Sequence, residues 1–242
     1  MRDIPAELED RLRAVATPER AEGEKRYLKS DLAFIGATLG QVRSAVRDIA
    51  ARAAPDHDGL IGLVDELWSK PLFERRLAAV LLLDRRSAVL GVDDLPLIER
   101  LVRESRTWAL VDYLAGDILG ALVAREPERL TSEMDRWATD ADFWVRRASL
   151  LAELRPIRAG GPLDRFLRRA EPMLEEREFF IRKAIGWVLR EAGKRQPDAV
   201  AAWLASRTHR ASGVTMREAV KYLPPAVAGE LMAAYRDRRP AG

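Results

Sequence analysis

The sequence contains no cysteine and only two histidines, His57 and His209, which lie far apart in the chain. The absence of cysteine excludes disulfide bonds, thiolate nucleophiles, iron–sulfur clusters and cysteine-ligated zinc sites. With only two distant histidines, a metal site built from histidine ligands is not expected either. We therefore expect a protein that works without a metal ion and without a cofactor.

Long apolar runs are also missing. The longest, Leu77–Leu83, is far shorter than the roughly 20 residues that a membrane-spanning helix needs. The first residues, Met1–Glu7, are charged and lack the apolar segment of a secretion signal. The hydrophobic content of 48% is enough to build a core, and 242 residues allow one large domain or two small ones. The sequence predicts a soluble cytoplasmic protein without membrane contact.

Charge is unevenly distributed along the chain. The net charge of +3 divides into −3 for residues 1–120 and +6 for residues 121–242, and 35 of the 41 basic residues are arginine. Arginine binds phosphate groups through two parallel hydrogen bonds, so this excess favours a polyanionic partner. A GC-rich coding sequence would produce the same excess, and composition alone leaves both explanations open.

The chain contains an internal repeat of about 36 residues. Apolar residues recur with helical periodicity, and prolines stand where helices would start or stop, so we predict an all-α protein. Similar segments start 35, 36, 36 and 35 residues apart, at Phe73, Trp108, Trp144, Phe180 and Thr215. Each follows another amphipathic segment, in order Leu60–Trp68, Leu95–Arg106, Glu128–Ala138, Leu163–Leu174 and Ala199–Ser206. Helical pairs at a fixed period predict an α-solenoid of HEAT-like repeats with a concave binding face.

We predict that residues 1–242 form a single solenoid domain. Residues 1–57 would supply N-terminal helices, residues 58–225 the paired repeats, and residues 226–242 a C-terminal helix and a basic tail. A terminally capped solenoid of this kind is compatible with a monomer, which we expect here.

Comparison of equivalent repeat positions separates scaffold from candidate site. The recurring aromatic residue at the first position favours core packing for Phe73, Trp144 and Phe180. Cations follow two and three positions later, in order Arg75, Arg76, Arg146, Arg147, Arg182, Lys183 and Arg217. Cations at a helix start oppose the helix dipole, so these columns either face an anion or pair with acidic residues of neighbouring repeats.

One column contains a single acidic residue. The fifth position of the segments holds Leu77, Asp112, Ala148, Ala184 and Ala219. Asp112 lies four residues after Trp108, so both side chains occupy one helical face. A carboxylate beside an indole is a candidate reactive centre. The alternative is a buried aspartate that forms a salt bridge with Arg147.

Several segments resemble those of the HEAT-like-repeat DNA alkylation repair glycosylases, the AlkD-like family. The resemblance is carried in order by Arg26–Lys29, Phe34–Gly36, Glu66–Trp68, Trp108 with Asp112, Trp144–Ala148 and the signature helix Phe179–Glu191. It covers about residues 5 to 225. The family often has Trp-Trp-Asp where this chain has Thr107-Trp108-Ala109, a departure that affects DNA contacts or lesion range.

The resemblance implies an enzyme that removes N3- and N7-alkylated purines from double-stranded DNA without cleaving the strand. It places the catalytic roles on Trp108, Asp112 and Trp187, a DNA-backbone contact on Arg147, and a lesion-proximal tyrosine at Tyr27. The basic columns add Arg146, Arg182 and Lys183 as candidate DNA contacts. The alternatives are a non-catalytic HEAT-like protein that binds damaged or branched DNA, and a scaffold for protein interactions.

Overall fold

The computed structural model describes residues 4–53 and 55–237. They divide into two compact units, Met1–Ile118 and Leu119–Gly242. The prediction of an all-α helical repeat fold is confirmed, and the single β-bridge among the described residues joins Ala33 to Leu72. The single-domain boundary stays a prediction, and residues 238–242 of the predicted basic tail lie outside the described ranges.

The first unit is built from seven α-helices. They are α1 Ile4–Arg13, α2 Pro18–Leu28, α3 Leu39–Ala53, α4 His57–Trp68, α5 Phe73–Arg85, α6 Leu95–Glu104 and α7 Trp108–Asp112. Helix α5 packs on both α3 and α4 and carries the apolar run Leu77–Leu83, every residue of which is buried. A π-helical segment, Tyr113–Leu119, follows α7.

The second unit contains the remaining helices. They are α8 Gly120–Arg125, α9 Pro127–Trp137, α10 Phe143–Leu151, α11 Leu154–Arg158, α12 Asp164–Met173, α13 Phe179–Gly193, α14 Pro197–Ala205, α15 Gly213–Ala219 and α16 Pro225–Arg236. Helix α13 packs on α10, α11, α14 and α15, and α10 packs on α9. The second helices of successive predicted pairs therefore stack within this unit, as the repeat predicts.

Side-chain caps fix where most of the repeat helices begin. The side chains of Thr107, Asp142, Glu178 and Ser212 each accept a hydrogen bond from a backbone N–H in the first turn of the helix that follows. Such caps satisfy donors that have no partner inside the helix. The start of each repeat segment is thus set locally, and the side chains that follow it fall at equivalent positions.

Candidate functional site

Two aromatic side chains meet in the first unit at the predicted site. Trp108 opens α7 and is half-buried, and Tyr27, near the end of α2, is 72% exposed. Their ring centroids lie 5.8 Å apart at an interplanar angle of 82°, the edge-to-face arrangement that aromatic pairs prefer. The structure therefore brings these two predicted residues together on an accessible surface. The preceding residue, Thr107, caps α7, which gives a structural role to one departure from the family motif.

Asp112 is the last residue of α7, one helical turn beyond Trp108. Its carboxylate-bearing side chain is half-buried, whereas Leu77, Ala148, Ala184 and Ala219, at the equivalent positions, are all buried. The acidic member of the column is thus also the one with access to solvent. Asp112 is therefore not fully buried, and its roles as a reactive carboxylate or as an ion-pair partner of Arg147 stay predictions.

The backbone changes its hydrogen-bonding pattern directly after Asp112. The π-helical segment Tyr113–Leu119 begins at the next residue, and such segments are rare and frequently occur at functional sites. Arg43 of α3 donates from Nη2 to the hydroxyl oxygen of Tyr113 at 2.8 Å, which ties the start of the segment to the neighbouring helix. Sequence periodicity gave no sign of this segment.

The first basic column donates hydrogen bonds to backbone carbonyls of the preceding helix or of the loop after it. Arg75 donates to the carbonyls of Glu66 and Leu67, at 2.5 and 3.2 Å. Arg146 donates to those of Asp140 and Ala141 at 2.6 and 3.0 Å, and Arg182 Nε donates to that of Glu176 at 2.6 Å. The Arg75 acceptors lie in the last turn of α4, where a cation is favourable, whereas Arg146 and Arg182 donate to the loops after α9 and α12.

Three cations of the second basic column contact the repeat that follows. The Arg76 guanidinium hydrogen-bonds the Glu104 carbonyl, and Lys183 Nζ lies 2.7 Å from Glu218 Oε1. Arg147 Nη1 donates to the carbonyl of Phe180 at 2.5 Å, and the side chain is only 3% exposed. The predicted alternative of an arginine ladder between repeats is therefore present in this column, with carbonyls as well as acids as acceptors.

Arg146 belongs to the same network of contacts within the second unit. Its Nη2 and Nε lie 2.8 and 3.0 Å from the two carboxylate oxygens of Glu176, in addition to the two carbonyl contacts. Arg146, Arg147 and Lys183 therefore all bind protein groups in this structure. Their contacts with DNA stay predictions.

Trp187 lies in the second unit, half-buried on α13. The preceding Gly186 is buried, and a Cβ atom there would lie 2.7 Å from the Cβ of Glu218 and 3.0 Å from the carbonyl oxygen of Thr215. The close approach that this glycine indicates is therefore that of α15. Because glycine allows α13 and α15 to pack tightly, it fixes the helix that presents Trp187.

An aromatic cluster in the second unit extends beyond the residues identified from the repeat. Trp144 and Phe180 are half-buried, and their ring centroids lie 4.8 Å apart; Phe143 and Phe179 lie beside them, and Phe179 is 53% exposed. Phe73, in contrast, is buried as predicted. Core packing therefore describes Phe73 fully and the other two aromatic residues only in part.

Glu218 is the most strongly perturbed carboxylate near α13. Burial acts to raise its pKa, but hydrogen bonds from Lys183 and Lys221 and the charge of Arg190 outweigh it and lower the pKa to about 2. The group stays ionised and holds three cations around α15. In the part of the chain that the structure describes, no group of histidine and acidic side chains could hold a metal ion. No described helix is long and apolar enough to cross a membrane.

Comparison with known proteins identifies relatives across most of the chain. A family model described as DNA alkylation repair enzyme matches residues 8–223. A structure described as a predicted DNA alkylation repair enzyme from Enterococcus faecalis has 22% sequence identity and a TM-score of 0.79, and the match covers 87% of this chain and 97% of that one.

Two structures from Streptococcus mutans share the same fold. AlkD2 has 18% identity and a TM-score of 0.61, over 84% of this chain and 99% of its own. The smu.31 protein has 19% identity and a TM-score of 0.60, over 77% and 93%. No curated protein matches significantly. Because the family model spans most of the sequence and its fold recurs in these structures, the chain belongs to the DNA alkylation repair enzyme family.

Proposed function

We propose that this protein is a monofunctional DNA glycosylase that hydrolyses the N-glycosidic bond of N3- or N7-alkylated purines in double-stranded DNA. The proposal is supported by the half-buried Asp112, which lies one turn from Trp108 and immediately before a π-helical segment. It is also supported by the membership of the chain in the DNA alkylation repair enzyme family. The enzyme would act as a monomer, without a metal ion or a cofactor.

The chemistry of the substrate defines what the protein must supply. An N3- or N7-alkylated purine is positively charged and departs as a neutral base, so its departure needs no general acid. The deoxyribose becomes positively charged as the bond stretches. A carboxylate held beside the sugar stabilises that charge, as in glycoside hydrolysis. Asp112 performs this role and orients the attacking water.

Aromatic faces add to this stabilisation. Trp108 and Tyr27 form an accessible pair in the first unit, and Trp187 is half-buried in the second. Each indole face that contacts the developing cation would contribute about 0.5–2 kcal/mol. No step forms a covalent bond between protein and sugar, so the product is an abasic site in an intact strand. Arg146, Arg147 and Lys183 would contact phosphate groups of the DNA.

Release of the free base tests this function directly. Duplex DNA containing 7-methylguanine is incubated with excess protein, and the single-turnover rate of base release is measured. Asp112→Asn should lower this rate at least about 100-fold, because removal of one well-placed electrostatic group typically costs about 3–4 kcal/mol in the transition state. Binding of undamaged duplex should change little, because the charge matters mainly when the sugar becomes positive.

The matched control is Asp93→Asn, which removes the same charge from an exposed residue of the first unit. It should release base at the rate of the unchanged protein. Equal rates for Asp112→Asn and Asp93→Asn would remove Asp112 from the mechanism. Tight duplex binding without any base release by the unchanged protein would favour the non-catalytic DNA-binding function instead.

A further inference from the structure

A cleft of about 400 Å³ lies in the second unit, and its lining contains none of the side chains assigned to catalysis. It is formed by the start of α13, the loop before α15 and the last helix, α16. The lining residues are Leu174, Glu175, Arg182, Arg210, Ala211, Ser212, Gly213 and Tyr235. Two arginines, a glutamate, a serine and a tyrosine make this lining polar, which suits a charged ligand better than an apolar one.

Arg182 lines the cleft and is held there by one contact with the backbone. Its Nε donates to the carbonyl of Glu176 at 2.6 Å, which fixes the plane of the guanidinium group. Both Nη atoms are left without a partner among the described residues, in contrast to Arg75 and Arg146 at the equivalent repeat positions. A guanidinium that is fixed in this way can bind two oxygen atoms of one phosphate.

Gly213 brings two further polar groups to the same cleft. A Cβ atom at this residue would lie 2.8 Å from the Tyr235 hydroxyl oxygen and 2.9 Å from Arg217 Nη1. Both groups therefore extend over the glycine, where any side chain would displace them. Arg217 is exposed and occupies the same repeat position as Arg182, so two equivalent cations of successive repeats belong to this region.

The acidic side chains near the cleft, Glu171 and Glu175, form ion pairs with arginines. Arg210 pairs with Glu171 at 2.5 Å and with Glu175 at 2.7 Å, and Arg207 also pairs with Glu171 at 2.5 Å. Burial acts to raise the pKa of Glu171, but hydrogen bonds from Arg207 and Arg210 lower it overall, so this group remains a paired carboxylate. The charge left for a ligand is positive and resides on Arg182 and Arg217.

We infer that this cleft is an anchoring site for one backbone phosphate of DNA, held by Arg182, Arg217 and the hydroxyl of Tyr235. The inference rests on the proposed function for its ligand. It adds to that function a DNA contact that α13, α15 and α16 make together. A phosphodiester fits because it presents a single negative charge on two oxygen atoms, which two guanidinium groups and a hydroxyl can bind together.

The test measures binding of the full-length protein to an undamaged DNA duplex by fluorescence anisotropy at several salt concentrations. The double variant Arg182→Ala with Arg217→Ala should weaken binding at low salt about tenfold or more. It should also lower the slope of log affinity against log salt by about one, because each phosphate neutralised contributes about 0.9 to that slope in double-stranded DNA. Arg195→Ala, which removes an exposed arginine beyond the other end of α13, should leave the slope unchanged.

Gly213→Ala separates geometry from net charge. The three atoms nearest to the added Cβ lie at the ends of the Tyr235 and Arg217 side chains, which can move aside, so we expect the fold to be kept. Because Tyr235 and Arg217 are displaced while every charge remains, binding should weaken several-fold. An affinity and a salt slope equal to those of the unchanged protein, for both this variant and the double variant, would overturn the inference.

Two other outcomes distinguish this inference from the proposed function. A reduced slope in a protein that releases no base would support the anchoring site and contradict the glycosylase. Normal base release by the unchanged protein, with an unchanged salt slope in the double variant, would support the glycosylase and contradict the anchoring site. A third outcome would show that the cleft binds a small phosphorylated ligand and that the inference is wrong. In that outcome, submillimolar inorganic phosphate stabilises the unchanged protein to heat but not the double variant, while the salt slopes of DNA binding are equal for the two proteins.

Discussion

Substitution of the buried Glu74 by glutamine should loosen the loop that positions α2 and its Tyr27. Glu74 is fully buried on α5, and its carboxylate accepts three backbone hydrogen bonds, from Ile35 at 2.9 Å, Gly36 at 2.6 Å and Ala37 at 3.2 Å. One side chain thus holds three consecutive N–H groups of the loop between α2 and α3.

The same loop packs closely against the start of α2. Gly36 has φ +94°, a conformation that favours glycine, and a Cβ atom there would lie 2.3 Å from the carbonyl oxygen of Thr17 and 2.9 Å from the nitrogen of Ala21. Movement of the loop would therefore be transmitted to α2. Glu74 consequently contributes to the position of Tyr27 without contacting it.

The magnitude follows from the three hydrogen bonds. In Glu74→Gln the amide oxygen can still accept from Gly36 and Ala37, but these bonds lose the charge that strengthens them. The amide nitrogen would face the N–H of Ile35, donor against donor. A hydrogen bond to a charged group is worth about 1.5–3 kcal/mol. Loss of one such bond and weakening of two others should lower the free energy of unfolding by about 3 kcal/mol.

Urea unfolding and amide hydrogen exchange measure this effect together. Glu74→Gln should shift the urea midpoint downwards and speed exchange at the three loop amides, whereas Glu22→Gln, an exposed substitution on α2, should stay within about 0.5 kcal/mol of the unchanged protein. Equal midpoints for the two variants, with unchanged exchange at Gly36, would refute the assignment of the loop to Glu74.

Two further predictions concern the packing of α13 on α15. Gly186→Ala should lower the free energy of unfolding, measured in urea, by about 1–3 kcal/mol, because its Cβ would meet the Thr215 backbone at 3.0 Å. Gly193→Ala should be neutral or stabilising, because the nearest atom is 3.4 Å away on a flexible side chain. The depressed pKa of Glu218 stabilises the fold above its unfolded pKa of about 4.5, and this contribution should be lost as the pH falls from there towards 2. Glu218→Gln should therefore flatten the stability profile in that window; an unchanged profile would contradict the assigned ion pairs.

The helical pairs could be predicted from sequence because their signals are local. Apolar periodicity and proline positions depend on neighbouring residues, and α4 with α5 and α9 with α10 begin within a few residues of the predicted segments. Asp112 could be identified because it interrupts an otherwise apolar column. The same comparison could not find Phe143 and Phe179, because alignment of the repeats selects one aromatic residue from each segment.

The partners of the basic columns could not be read from residue types. Arg75, Arg146 and Arg182 donate to backbone carbonyls, which every residue carries, so the acceptors leave no trace in the sequence. The caps Asp142 and Glu178 are visible once the helix starts are known, but many other acidic residues precede apolar ones. The π-helical segment depends on packing around it, which no local pattern describes.

The wider winding that starts at Tyr113 lets the helix accommodate one additional residue. A π turn holds one more residue than an α turn, and one residue rotates an α-helix by about 100°. Deletion of a single residue between Leu114 and Ile118, both buried, would replace this turn by an α turn, so the chain would still complete one turn and Asp112 would keep nearly its present direction relative to Ile118. A residue accommodated in this way spares the rest of the helix the rotation of about 100° that one extra residue would otherwise cause.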